Sequence, residues 1–271
     1  LQSDDKTKFD FDKIWKSSAE RKIKDFKPNF VGLTSMFSQS HDVLIQISRF
    51  IKNFNKEVMI GAGGVHISNS VDEDKTFEKF VNELTDVDYF FLYEADLSFI
   101  NFVKAFNEKA NFDLLGQLII RVNKTKFIRF TNRLHPTGEQ LNTIPALDLM
   151  DTSTVSRWGK IGSFFCLIPK EKKMTTILSN RGCRAQCTFC CVRTFNGVGV
   201  RRREVTSVIE ELKILKYEYG IDHVMWLDDD FLYNEKESMR LFDQIIKNNL
   251  NTFIYILGLI NEFLTPDIEA K

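Results

Sequence analysis

The sequence predicts an α/β protein in two parts, an open parallel sheet followed by the opening elements of a βα barrel. Three observations predict it. Over residues 30–106, short apolar runs alternate with helix-period stretches in the order βαβαβα. From residue 174 onward the alternation resumes, and the ends of its first two strands carry the densest chemistry in the chain. The stretch between them has hairpin character and little periodicity.

At 271 residues the chain has length enough for two cores, and its 43% apolar and 27% charged composition is that of a folded globular protein. Lys+Arg and Asp+Glu are equal at 37 each, so no net field favours nucleic acid, and the one dense basic cluster is Arg201-Arg-Arg203. The longest apolar run, residues 253–260, is too short to span a bilayer. No targeting segment is read in the first residues. With five cysteines, an odd number, a disulfide framework is disfavoured, free thiols imply a reducing compartment, and the expected location is the cytoplasm.

A polar, Lys-rich lead contains an amphipathic stretch over residues 14–26, and Phe30-Val-Gly-Leu-Thr-Ser35 is the first strand. Val43, Leu44, Ile47, Phe50 and Ile51 recur at helical spacing, and Val58-Met-Ile60 is a short second strand ending in Gly61-Ala-Gly-Gly-Val-His66. Phe77, Phe80, Val81 and Leu84 mark the next helix, Tyr89-Phe-Phe-Leu92 a third strand, and Phe99, Phe102, Val103 and Phe106 a third helix. Ligands of parallel sheets gather at the carboxyl ends of the strands, so Thr34-Ser35, the Gly61 to His66 loop and Tyr93 to Asp96 are expected to form one pocket. Glycines 61, 63 and 64 would let backbone approach a ligand, or simply make a tight connection. They do not form Gly-x-Gly-x-x-Gly leading into a helix, which disfavours a nicotinamide site.

Residues 111–165 read as a linker with a hairpin, in which Leu118-Ile-Ile-Arg-Val122 and Phe127-Ile-Arg-Phe130 flank Asn123-Lys-Thr-Lys126 and an irregular segment, 141–149, follows. Arg121, Arg129 and Arg133 are expected to be solvated, and the domain boundary falls at 152–160. In the second block Met174-Thr-Thr-Ile-Leu178 is a strand delivering the chain to a cysteine loop. A helix then opens at Glu204-Val-Thr-Ser207, presents Val208, Leu212, Leu215 and Tyr219 to a core, and stops at Gly220. His223-Val-Met-Trp-Leu227 is a buried strand ending in Asp228-Asp-Asp230, with a helix over 239–246 and a strand over 252–257 beyond it.

Cys183, Cys187 and Cys190 stand in the run Arg181-Gly-Cys-Arg-Ala-Gln-Cys-Thr-Phe-Cys190. Thiolates this crowded suit a soft metal centre, and three of them on an iron–sulfur cluster that takes four ligands leave one iron open. A zinc reading lacks the usual second Cys-x2-Cys pair and would need Cys191, Cys166 or one of four histidines as fourth ligand. Cys166, within Phe164-Phe-Cys-Leu-Ile168, reads as a small buried hydrophobe, and Cys191 is left open.

This Cys-x3-Cys-x2-Cys spacing, with Phe189 before the last cysteine, resembles the signature of the radical S-adenosylmethionine (SAM) enzymes. Pro28-Asn-Phe-Val-Gly-Leu-Thr-Ser35, the Gly-Gly-Val-His66 loop and Asp88-Tyr-Phe-Phe-Leu-Tyr-Glu94 resemble the cobalamin-binding domain that precedes that core in one large subfamily. Around Glu94 the match is imperfect, with Tyr93, Ala95 and Asp96 where the family carries a Gly-Glu-Gly-Glu pattern. The resemblance implies a flavodoxin/Rossmann-like, cobalamin-binding-like domain over 1–110 lacking its first strand and helix, and the first part of a radical SAM barrel over 166–271. On that reading the chain is an internal piece of a longer protein.

For the site, the resemblance implies a [4Fe–4S] cluster on Cys183, Cys187 and Cys190. SAM contacts would come from Phe189, buried against adenine or over the cluster, and from Asp228, Asp229 and Asp230, whose alternative is a helix cap or solvated turn. Thr34, Ser35, Gly63, Gly64 and Glu94 would surround cobalamin. No Asp-x-His-x-x-Gly motif marks His41 or His66 as a cobalt ligand, and His66 reads as a loop residue bonding locally. One of Arg201, Arg202 and Arg203 could meet a carboxylate, leaving at least two solvated. No residue is singled out as catalytic.

The implied reaction is reductive cleavage of SAM to a 5′-deoxyadenosyl radical, cobalamin-dependent, with methyl transfer to an unactivated carbon of a small molecule. A reducing partner such as flavodoxin or ferredoxin is implied with it. Oxidative cyclisation or rearrangement is an alternative within the subfamily. A methylthiotransferase is disfavoured because residues 1–165 contain no cysteine for a second cluster. The non-enzymatic alternative is an iron–sulfur or cobalamin-binding module.

Overall fold

The protein is described from a computed structural model, which covers residues 10–71, 74–108, 114–149, 172–250 and 252–256. The chain divides into two compact units, Leu1–Leu134 and His135–Lys271. The expected boundary at 152–160, the setting of Cys166 and the chain beyond residue 256 lie outside the described residues.

The first unit opens with helix α1 (Phe11–Phe26), capped where the Asp10 carboxylate accepts the Lys13 N–H at 2.9 Å. Strands β1 (Phe30–Thr34), β2 (Met59–Gly63) and β3 (Tyr89–Phe91) pair in parallel, with Thr34 opposite Gly63 and Ala62 opposite Phe90. Helices α2 (His41–Phe54), α3 (Val65–Val71), α4 (Asp74–Glu83) and α5 (Asp96–Glu108) connect and flank them. A sheet covered on both faces needs apolar residues on both sides of each strand. In β3, successive side chains point to opposite faces, so Phe90 joins the core under α2, α3 and α4, while Phe91 joins a second core against α5.

The hairpin forms as β4 (Leu118–Arg121) and β5 (Phe127–Phe130), but it is not a free linker. β4 pairs antiparallel with β3, and β5 with β4, which extends the sheet to the order β1-β2-β3-β4-β5. Leu118 and Ile119 are buried at 0% and 3% exposure, one in each core. Pairing of this hairpin with β3 overturns the expectation of a solvated side chain for Arg121, while Arg129 and Arg133 are exposed as expected. The Arg121 guanidinium donates to the carbonyls of Val81 (2.7 Å), in the last turn of α4, and of Leu84 (3.0 Å) and Val87 (2.8 Å) in the turn that follows it, and lies over the rings of Phe90 and Phe127. Arg129 stacks on Phe77 and Arg133 on Tyr93.

In the second unit β6 (Met174–Ile177), β9 (His223–Trp226) and β10 (Phe253–Ile256) form a parallel sheet in the order β10-β9-β6. Helices α7 (Val205–Tyr217) and α8 (Glu235–Lys247) cover one face, enclosing Ile177, Val224, Trp226, Phe231, Leu212 and Leu241. This is the strand–helix–strand succession expected for the start of a βα barrel. Helix α8 begins four residues before the expected 239, because the Asn234 side chain accepts the Glu237 N–H and caps it there. Between β6 and α7 lie three short elements without a sequence signature: β7 (Asn180–Arg181), α6 (Val192–Asn196) and β8 (Arg201–Arg202).

Candidate functional site

The loop carrying Cys183, Cys187 and Cys190 leaves the carboxyl end of β6 and is closed at its base. β7 and β8 pair antiparallel, Asn180 with Arg202 and Arg181 with Arg201, and Cys183 bridges to Val198. Gly182 has φ +90°, and a Cβ there would stand 2.3 Å from the Gly199 carbonyl, so only glycine lets the two arms approach this closely. The three thiols line one small cavity of about 20 Å³ together with Ala185, Val192 and Arg193, and Cys191 lies outside its lining. Cys187 and Cys190 are exposed and Cys183 half-buried.

Among the described residues no three His, Cys, Asp or Glu side chains are arranged to hold a single metal ion. Shared lining of one cavity and the lack of a common focus are compatible, because a cluster takes one thiolate per iron, whereas a mononuclear zinc needs every sulfur at about 2.3 Å from one point. The donor set therefore fits a cluster. Burial pushes the Cys183 thiol up; the Ala185 N–H opposes this, while Asp230, Asp229 and Cys190 add to it. Metal binding there has a proton to displace.

Phe189 is 91% exposed, so the structure does not place it as the buried aromatic that was expected. Nor do the three aspartates at the end of β9 form a solvated turn. The Asp228 carboxylate, 2% exposed, accepts the Ser179 N–H at 2.7 Å, the Asn180 N–H at 3.2 Å and the Ser179 hydroxyl. Burial nevertheless raises its pKa to about 6, outweighing those donors and the nearby Arg202. Asp229 Oδ2 accepts the Gly182 N–H (3.3 Å) and the Asn196 side-chain amide (2.8 Å). Asp230, fully buried, holds Arg184 Nε at 3.1 Å, and its carbonyl accepts the Asn180 amide. All three aspartates thus grip the cysteine loop.

The arginine triplet is packed, contrary to the expectation that two of its members would be solvated. Arg201 donates to the carbonyls of Pro136 (3.0 Å) and Asn196 (2.7 Å), and burial lowers the pKa of half-buried Arg202. Arg203 is buried and donates to Leu178 O (2.9 Å), Glu211 (2.6 Å) and Ser207 (3.0 Å). It anchors Leu178, the residue that follows β6, to α7.

In the first unit, Thr34, Ser35, Gly63 and Gly64 meet at the carboxyl ends of β1 and β2. Ser35 N–H donates to the Gly63 carbonyl at 2.9 Å and the Ser35 carbonyl accepts the His66 N–H at 3.2 Å. Gly64 has φ +107°, and a Cβ there would lie 2.4 Å from the Ser35 carbonyl oxygen. Replacing Gly64 by alanine is expected to destabilise this unit by about 3 kcal/mol, through backbone strain and the clash. Thermal unfolding checks it, and an unchanged midpoint would show the loop to be adaptable.

At the end of β3 the chain turns through Tyr93, whose φ of +57° is the left-handed conformation that a glycine would take without cost. The Tyr93 N–H donates to Ser68 Oγ at 2.7 Å, joining this turn to α3. Glu94 is buried at 4% exposure, and buried Gln117 donates to its carbonyl at 3.3 Å. Each expected cobalamin contact therefore lies at the carboxyl edge of the sheet.

An unpredicted groove of about 750 Å³ runs beside that edge, lined among others by Met36, Phe37, His41, His66, Lys79 and Phe80. His66 is not in a loop: it lies in α3, with Nε2 3.1 Å from His41 Nδ1, while His41 Nε2 is 2.9 Å from Glu83. The signal missed was the start of a helix directly after Gly64. Burial first, then His41, hold the His66 imidazole below its ordinary pKa. Its neutral form favours the fold, a contribution lost as pH falls through the ordinary histidine value towards the folded one. NMR titration is expected to show a depressed His66 midpoint that rises in His41→Ala; a midpoint unmoved by that change would exclude the coupling.

Residues 177–269, within the second unit, match the family model described as the radical SAM superfamily. The chain is 27% identical over 89% of its length to a Pyrococcus horikoshii protein named as an uncharacterized methyltransferase, covering 48% of it. It is 24% identical over 81% of its length to the cytidylyl-2-hydroxyethylphosphonate methyltransferase of Streptomyces wedmorensis, covering 43% of that protein. The chain thus spans about half the length of the curated relatives it matches. The radical SAM methyltransferase TsrM from Kitasatospora setae, solved with cobalamin and a [4Fe–4S] cluster bound, shares the fold, with a TM-score of 0.60 at 18% identity over 87% of this chain and 43% of that one.

Proposed function

We propose that the chain is the part of a cobalamin-dependent radical SAM methyltransferase that holds both cofactors. The observation that carries the reading is the meeting of Cys183, Cys187 and Cys190 around one cavity at the carboxyl end of a parallel barrel strand. These thiolates would hold a [4Fe–4S] cluster and leave one iron for the amino and carboxylate groups of SAM. When bound and reduced, the cluster supplies the electron that cleaves SAM to methionine and a 5′-deoxyadenosyl radical. The protein's part is placement: β7 and β8 close the loop, Asp228 and Asp230 tie its first residues to β9, and Arg184 is held on the buried Asp230.

Thr34, Ser35, Gly63, Gly64 and Glu94 would border the corrinoid, with Gly64 supplying close backbone approach and Gln117 holding the Glu94 turn. His66 is engaged by His41 and Ser70, which suits a role in shaping the groove. The substrate is a small molecule with an inert carbon, and the electron comes from a reduced flavodoxin or ferredoxin. No helix among the described residues is long and apolar enough to cross a membrane. Free thiols suit a reducing compartment, the cytoplasm on this reading.

Anaerobic reconstitution of the full-length protein with iron and sulfide, followed by one-electron reduction with SAM, is expected to release 5′-deoxyadenosine. A reduced cluster that releases none would favour a binding module. Retention of hydroxocobalamin through desalting tests the corrinoid independently, and its complete loss would remove the methyl-transfer reading while leaving the radical chemistry.

A further inference from the structure

We propose that Asp229 and Asn196 form a positioning pair that cross-links the two ends of the cysteine loop, so that Asp229 serves the cluster by holding its ligands and not by binding SAM. The inference rests on the cluster reading above. One carboxylate oxygen, Asp229 Oδ2, accepts from Gly182 N immediately before Cys183 and from Asn196 Nδ2 beyond Cys190. The donors come from opposite arms of the loop, and the acceptor comes from the neighbouring strand end. A single side chain therefore closes a ring of chain that contains all three thiols.

Asn196 is itself held, since its carbonyl accepts from Arg201 Nη2 at 2.7 Å on β8. The residue after it, Gly197, has φ +81°, so α6 ends there and the chain turns back towards Cys183, where Val198 makes its bridge. An ion-pairing role towards an ammonium group would want carboxylate oxygens turned to open space. Here one carboxylate oxygen, Oδ2, takes donors from both arms of the loop, an arrangement that fixes the direction in which the ligands leave the backbone.

The pair makes a prediction that SAM binding does not. Asn196→Ala removes the cross-link without touching the carboxylate, and Asp229→Ala removes it from the other side. Both are expected to accelerate loss of the reconstituted cluster to a chelator about tenfold, and to alter its electron paramagnetic resonance spectrum alike before SAM is added. The double variant should be no worse than Asp229→Ala alone, because loss of the carboxylate already removes both hydrogen bonds, Asn196's included. Circular dichroism of each full-length variant verifies that the fold is retained, and Asp229→Asn, which keeps one acceptor oxygen, should recover part of the stability. A direct SAM ligand would behave differently: Asp229→Ala would weaken SAM binding with a normal SAM-free spectrum, and Asn196→Ala would match the parent protein. That outcome would overturn the pairing. Failure of the parent protein itself to hold a cluster would instead overturn the reading beneath it.

Discussion

Alanine at Cys183, Cys187 or Cys190 is expected to reduce both iron retention and 5′-deoxyadenosine release to background, each position alone having the full effect. A cubane bound through three protein thiolates has one open iron; loss of a thiolate opens a second, and the loop that enforces ligand direction then has nothing to direct. The exposed Cys191 cannot readily substitute. It occupies the N-cap position of α6, at the edge of the loop, and does not line the cavity that the other three share. Cys191→Ala is therefore expected to keep its cluster. Iron and sulfide analysis of the four variants is the measurement, and a cluster retained in Cys187→Ala but lost in Cys191→Ala would reassign the ligand set.

Arg203→Met is expected to be the most destabilising change outside that loop, at about 3–5 kcal/mol. Arg203 is 7% exposed and Glu211 3%, and the guanidinium is the partner that offsets burial of the Glu211 charge. Burial raises the Glu211 pKa even with Arg203 present to oppose it. Without the arginine the carboxyl must either protonate or stay charged and unpaired, and Leu178 O and Ser207 lose their donor as well. On the order of 10 °C should be lost from the melting midpoint of the unit.

The pH dependence has a definite sign. A carboxyl whose folded pKa lies above its unfolded value favours the fold most at low pH, and this contribution is lost as pH rises through the folded value. The deficit of Arg203→Met should thus shrink in mild acid and grow towards neutrality. Adding Glu211→Leu should restore most of the stability, since an apolar pair of similar volume avoids the buried charge. A deficit independent of pH, or no recovery in the double variant, would show that packing and not charge is the cause.

How much of this was legible beforehand varied with the range of the interaction. The strands Phe30–Thr34, Tyr89–Phe91, Met174–Ile177 and His223–Trp226 each fall within the run read as strand, because a period of two and apolar content are local properties, whereas Met59–Gly63 runs three residues into the stretch read as a glycine loop. The cysteine spacing was equally local. By contrast, Arg121 and the Arg201 to Arg203 run carried no local sign of burial. Long cationic side chains look alike in sequence whether they reach into water or towards carbonyls of another element, and only the folding of β4 onto β3 and of β8 onto β7 decided it. Phe189 is 91% exposed in the protein alone, so no protein side chain covers it.

Periodicity and spacing were therefore enough to establish an α/β chain with two sheets, the edges at which chemistry gathers, and a trio of thiols suited to a cluster. They reflect contacts between near neighbours, which the order of residues encodes directly. The aspartates' grip on the cysteine loop spans nearly fifty positions, with Ser179 meeting Asp228 and Gly182 meeting Asp229. The approach of His41 to His66 joins two different helices of the first unit. Such pairings arise only when strands settle side by side and burial forces each polar group to find a partner, a requirement of the folded volume that no stretch of chain contains in isolation.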